Sequence, residues 1–292
     1  MSHSTTEREE KKMRVRIYKP SQPMQHPLTI LREMGAGVME GRELAWRLFL
    51  RDTRAQFRQT FFGLLWAFIP PLVSALTFIF LGSQGLFNPG ETGIPYAAFA
   101  LMGTLLWQVF VDALGAPVRE VTAAKGMLVK INFPREAILV NGLYKVIFNF
   151  IIRMVILLPI LIYLKLPLSL DILVFPLAML AMIVVGFALG IVLVPVGGLY
   201  GDIQRVLPVL TGFWMLLTPV VYPPRTEGLL GFLSVWNPLS PLMVTARESL
   251  MGAGFTALPG LAIVFVLGFI LLLGGLIGYR VALPHIIARM GG

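Results

Sequence analysis

Residues 61–81, FFGLLWAFIPPLVSALTFIFL, contain no charged side chain. A helix of that length, rising about 1.5 Å per residue, matches the roughly 30 Å hydrocarbon core of a bilayer. Further apolar runs follow at 94–117, 137–163, 172–199, 206–222 and 258–282. The expected fold class is therefore an all-α membrane protein with six transmembrane helices within residues 61–282.

Composition points the same way. The 292 residues are 57% hydrophobic and 13% charged, whereas soluble domains carry roughly a quarter charged residues. Twenty-one prolines and 29 glycines are compatible with spans, because neighbouring helices and hydroxyl side chains satisfy the backbone groups that broken helices release. There is no cysteine, which excludes disulfides, thiolate metal sites and cysteine nucleophiles. The three histidines, His3, His26 and His285, lie towards the ends of the chain. The spans hold no paired carboxylates or metal-ligand spacing, so no catalytic residue and no metal site is expected.

The formal charge of +9 follows topology rather than nucleic-acid binding. Nineteen of the 24 lysines and arginines fall before Phe61, between Pro117 and Glu136, at Arg205, or from Arg280 onward. Only Lys165, Arg225 and Arg247 fall on the opposite side, and Lys145 and Arg153 lie within the third span. This positive-inside bias predicts that both termini face the cytoplasm. The first sixty residues show no signal-peptide pattern.

Residues 1–42 read as a polar cytoplasmic tail, with prolines in KPSQPMQHP favouring extended backbone. From 43 to 60 a helix is expected, with Arg47, Arg51, Arg54 and Arg58 on one stripe and Trp46, Phe49, Leu50 and Phe57 roughly opposite. Such a helix suits the membrane interface, where rings sink into the headgroup boundary and arginines meet anionic lipid. Residues 223–256 are apolar but broken by NPLSP, which predicts two short re-entrant helices, one starting at Ser240 and ending at Gly252. Residues 283–292 form a short C-terminal tail.

Arg153 lies midway through its span, where a charge needs a partner. Asp112 is the candidate, while Lys145, nearer its span's start, is expected to snorkel to the headgroups.

Four stretches, in order, resemble the membrane subunit of ABC exporters that move polysaccharides and polyol phosphates, the O-antigen, capsule and teichoic acid permeases. They are RDTRAQFRQTFFGLLWAFIPPL (51–72), KGMLVKINFPREAI (125–138), TPVVYP (218–223) and WNPLSPL (236–242). The resemblance implies a homodimer in the bacterial inner membrane that exports a lipid-linked polysaccharide with a separate ABC ATPase dimer. ATP and magnesium would then belong to that partner, and no G-x-x-x-x-G-K-[ST] loop occurs in this chain.

The same resemblance makes residues 119–135 a coupling segment seated in the ATPase, with Arg119, Lys125, Lys130, Phe133 and Arg135 as its contacts. It places Phe62, Trp66, Phe213, Trp214 and Tyr222 along a sugar passage between the first and fifth spans of two copies. Two alternatives stay open: a drug or lipid exporter of the same architecture, and a membrane-embedded glycosyl- or acyltransferase using Glu227, Glu248 or Asp112.

Overall fold

The computed structural model describes residues 27–58, 65–66, 68–86, 88, 90–131, 133–165, 169–224, 227–252 and 254–290. Among them the secondary structure is helical throughout, with no strand. In chain order the helices are α1 (Pro27–Arg58), α2 (Ile69–Ser83), α3 (Tyr96–Ala123), α4 (Lys125–Lys130), α5 (Glu136–Tyr163), α6 (Phe175–Gly197), α7 (Asp202–Leu217), α8 (Gly228–Trp236), α9 (Leu239–Met251) and α10 (Leu258–Met290). A 3₁₀ turn, Leu170–Val174, leads directly into α6.

Among the described residues, four helices are long and apolar enough to cross a bilayer: α3, α5, α6 with its leading turn, and α10. The first and fifth expected spans take the form of shorter helices. A proline in the first turn of a helix costs nothing, since its missing N–H would be unpaired there anyway, so Pro70 and Pro71, at the start of α2, suit that start within the apolar run. Leu65 and Trp66 form a separate 3₁₀ turn before it. At the other end, Thr218 precedes Pro219 and is extended (φ −104°, ψ 141°), which stops α7 at Leu217 rather than at Tyr222.

The interior is built from α3 and α6, whose apolar windows are 72% and 61% buried. Gly186 and Gly190 make this pairing possible. A Cβ at Gly186 would meet the Phe110 carbonyl and Ala113 at 2.9 Å, and one at Gly190 would run into the Leu114 carbonyl and Pro117. Small residues four apart let membrane helices approach to backbone contact. α5 packs on α3, α10 on α6, and α1 lies against α5.

α1 is longer than the expected interfacial helix, since residues 27–42 are helical rather than an extended tail. Tertiary contact explains the extension. Met34 is buried, a Cβ at Gly41 would sit 3.0 Å from that of Ala137 on α5, and Arg280 of α10 pairs with Glu33 at 2.6 Å. Local propensity is a weak prior that such packing overrides. α10 likewise continues past Ala282 to Met290, and α3 continues past Pro117 to Ala123.

Candidate functional site

The main polar feature of the membrane region is a pair of buried rungs between α3 and α5. At the first, Arg153 Nη2 donates to Asp112 Oδ2 at 2.7 Å, and Asn149 Nδ2 donates to the same oxygen at 3.0 Å. At the second, Glu120 Oε2 accepts from Asn141 Nδ2 and from Lys145 Nζ, each at 2.7 Å. Each acid of α3 is thus held by an asparagine and a cation four residues apart on α5. The acids are eight residues apart, as are the asparagines and the cations, which is the register of two antiparallel helices.

The second rung extends to α1. Lys145 Nζ also donates to Asp52 Oδ2 at 2.8 Å, and Asn141 Nδ2 reaches that oxygen at 3.3 Å. Burial pushes the Asp52 carboxyl up, but hydrogen bonds and charge from Lys145 and Arg51 outweigh it and hold the group below the usual carboxylate range. The expected pairing of Asp112 with Arg153 is present. Lys145 does not snorkel: two carboxylates lie within 2.8 Å of its ammonium, and pairing there replaces the water that snorkelling would find.

A signal for these rungs exists in the sequence. Asn141, Lys145, Asn149 and Arg153 recur every fourth residue, drawing a polar stripe along an otherwise apolar helix. Read together with Asp112 and Glu120 it would have predicted the ladder. Considered singly, Glu120 and the two asparagines carried no such message.

The α3–α4–α5 elbow lies at the end of the molecule where most cations gather. α4 is a six-residue helix with Leu128 buried, while Gly126, Val129, Lys130 and Ile131 are exposed. Lys125, Lys130 and Arg289 border a shallow depression of about 470 Å³ floored by Gly126, Val129 and Leu199. Phe133 packs against the core, and the Arg135 carbonyl accepts from Tyr279 Oη at 3.2 Å, which ties the elbow to α10. Arg119 is not on this elbow. It lies on α3, and its Nη2 donates back to the Asp112 carbonyl at 3.2 Å because the helix continues beyond Pro117.

On α1, Arg47, Arg51, Arg54 and Arg58 line an open trough of about 650 Å³ together with Leu50 and Ala55. Arg47 pairs with Glu43 at 2.6 Å and Arg51 with Asp52 at 2.8 Å. The aromatic side is turned only in part towards protein, for Trp46 stays 49% exposed. Phe49 is buried, its ring 6.1 Å from Tyr144 and 5.6 Å from Phe148 of α5, and Trp46 stands edge-on to Tyr144 at 5.8 Å.

The five aromatic candidates for a passage fall in different surroundings. Phe62 lies outside the described residues. Trp66 and Phe213 are exposed. Trp214 packs edge-on against Phe110 and donates through Nε1 to Asn237 Oδ1 at 3.1 Å. Tyr222 is buried and donates to the Leu216 carbonyl at 3.0 Å.

Trp214 and Tyr222 belong to a knot that joins the TPVVYP and WNPLSPL stretches at the far end of the molecule. Asn237 Nδ2 donates to Thr218 Oγ1 at 2.7 Å and to the Leu217 carbonyl at 3.2 Å, and Asn237 Oδ1 also accepts from the Leu239 amide at 3.1 Å. That last bond caps α9, so Asn237 does the work expected of Ser240, by the two-residue reach typical of Asx side chains. Gly252 ends α9 in the left-handed region (φ 63°), as expected. Arg247 reaches across to the Pro219 carbonyl at 3.0 Å and the Val220 carbonyl at 2.5 Å, with its guanidinium 3.9 Å over the Phe99 ring. Gly103 of α3 leaves room for this turn, since a Cβ there would collide with the Val220 carbonyl.

Among the carboxylates considered for transferase chemistry, Asp112 is committed to the first rung, Glu248 accepts from the Thr256 amide at 3.0 Å, and Glu227 is exposed. Among the described residues no group of three or more His, Cys, Asp or Glu is arranged to hold a metal.

Residues 43–251 match the ABC-2 type transporter family. The chain belongs to this family. The matched region takes in the second half of α1, both rungs, the elbow and the Asn237 knot. Similar curated proteins include the O-antigen export system permease protein RfbA of Myxococcus xanthus, 25% identical over 209 residues covering 70% of this chain and 78% of the relative. The protein of the same name from Klebsiella pneumoniae is 22% identical over 77% of this chain and 86% of its own length. The polysialic acid transport protein KpsM of Escherichia coli is 24% identical over 70% and 80%.

Proposed function

We propose that this ABC-2 family member is the permease of an ATP-driven exporter that moves a lipid-linked polysaccharide, of O-antigen or capsule type, out of the cytoplasm across the bacterial inner membrane. The observation that carries the reading is the family match over the elbow and both rungs, with relatives named for O-antigen export and polysialic acid transport. The elbow has the form a driving partner needs. Val129 and Ile131 present an apolar tip beside Lys125 and Lys130, and Leu128 anchors it from beneath.

In this reading a separate ABC ATPase dimer, which binds ATP and magnesium, seats α4 and draws the two elbows together. Two copies of the chain face each other across α2 and α7, whose exposed faces include Leu72, Val73, Leu76, Val209, Leu210 and Phe213. The cation-rich end, with both termini, faces the cytoplasm. Of the described passage candidates, Trp66 and Phe213 are the exposed rings that would meet sugars, and the α1 arginine trough would meet anionic lipid headgroups.

Deletion of the gene tests the proposal. The expected result is loss of surface polysaccharide, build-up of lipid-linked glycan on the cytoplasmic face, and copurification of an ATPase with the intact protein. Unchanged surface glycan and no bound ATPase would refute it.

A further inference from the structure

Building on that reading, we propose that α1, α3 and α5 travel as one rigid body, with Asp112, Glu120, Lys145 and Arg153 as positioning residues that deliver motion of α4 into the membrane. Along the chain α4 lies between these helices, directly after α3 and five residues before α5. A push on the elbow therefore reaches both helices together, and its effect depends on whether they can slide past one another.

The rungs oppose sliding. They lie eight residues apart, about 12 Å along the helix axis. One pin would leave two helices free to swivel about it, whereas two separated pins remove both swivel and slip. Displacement by one turn, about 5.4 Å, would break the present hydrogen bonds of both rungs at once, and in the direction that carries Asp112 towards Lys145 it would leave Arg153 without its carboxylate in an apolar region. Among the described residues Asp112 is the carboxylate paired with Arg153, whose Nε and Nη1 have no partner.

Asp52 brings α1 into the same body, because Lys145 bonds its carboxylate and that of Glu120 simultaneously. Gly41 and Ala137 at backbone contact add a second attachment between α1 and α5. α7 is joined to α3 more weakly. A polar tie between the two is a long 3.5 Å contact from Gln204 Nε2 to the Val118 carbonyl.

The chain's lack of cysteine permits a direct test by cross-linking. A Cβ at Gly142 on α5, beside the second rung, would lie 3.6 Å from the Ala116 Cβ on α3, with Glu120 Cγ giving way slightly at 3.1 Å, and this is disulfide distance. In membranes holding the whole transporter with its ATPase, the Ala116→Cys/Gly142→Cys pair is expected to oxidise. Its oxidation rate should change by less than about twofold on adding ATP or an ATP analogue that resists hydrolysis, as a fixed helix pair requires. That rate needs no cargo, so it reports on the rigid body even if the polysaccharide reading fails.

In cells where the parent chain restores export, the oxidised pair is expected to export as well as its reduced form. With Asp112→Asn added, export per ATP hydrolysed should fall about fivefold or more while the ATPase still copurifies, and oxidation of the cysteine pair should restore it. A pair that fails to oxidise, a rate that changes severalfold with nucleotide, export that stops on oxidation and returns on reduction, or an Asp112→Asn defect that the cross-link leaves in place would each overturn the proposal. Failure of the export reading is separately visible, as a parent chain that does not restore export.

Discussion

α3 and α7 both come from apolar stretches, yet they are held in opposite ways. On α3 nineteen residues are buried, including Thr104, Asp112 and Glu120, and the helix contacts α5, α6 and α2. On α7 Thr211 is buried, while Val206, Val209, Leu210, Phe213, Leu216 and Leu217 are exposed. α2 resembles α7, with Pro71 and Ala75 buried and Leu72, Val73, Leu76 and Phe80 open. Apolar surface drives little association between helices already in lipid, where close packing and polar contacts decide instead. The glycine pair and the two rungs give α3 both, and α7 has few of either, so cohesion concentrates in one region and freedom to meet lipid or a second copy in the other.

The contrast breaks most visibly at the first rung. Asp112→Ala leaves Arg153 buried without its counter-charge and is expected to cost about 3 kcal/mol. Replacing both residues by leucine should recover most of that loss. Thermal unfolding of the purified protein in detergent measures both, and equal losses in the single and double variants would contradict a paired role.

Next in size is the α3–α6 contact. Gly190→Val forces atoms into the Leu114 carbonyl and Pro117, and overpacking of this kind costs about 1–3 kcal/mol. A neutral result in the same unfolding assay would mean that the helices part readily there.

On the loosely held side the expected sign reverses from stability to function. Phe213→Ala removes an exposed ring, so unfolding should move by less than about 0.5 kcal/mol. Polysaccharide export should drop, as measured by surface glycan. Unchanged export would remove Phe213 from the passage.

The smallest effect concerns Asp52. Its carboxyl is held below the ordinary value of 3.8, so the link to Lys145 is fully present above that pH and is lost as pH falls through the lowered value. Trp46 fluorescence, which reports the α1–α5 contact, should be flat between about pH 7 and pH 5 and change only below about pH 4. A transition near neutral pH would assign the contact to another group.

Much of the helix layout was legible, because hydropathy over some twenty residues is a local property and the bilayer fixes the length that matters. Glycine and proline signals also worked where their effect is local. Gly252 ended α9, and the paired prolines at 70 and 71 and Pro219 explain the two shortened helices. The start of α1 was not legible, since residues 27–42 depend on Glu33, Met34 and Gly41 meeting α10 and α5. The sequence placed Trp214 and Tyr222 along a passage, and no local rule reveals that Asn237 and the Leu216 carbonyl wait beside them.

Membrane residence and helical class were set by the chain's covalent order alone, since apolar length and the need to satisfy backbone hydrogen bonds in lipid act on each segment separately. Which charges became partners was decided only in three dimensions. Asp112 meets Arg153, and Lys145 meets both Glu120 and Asp52, because helix packing brings together groups up to 93 positions apart, and a buried ion is stable only where such a neighbour arrives.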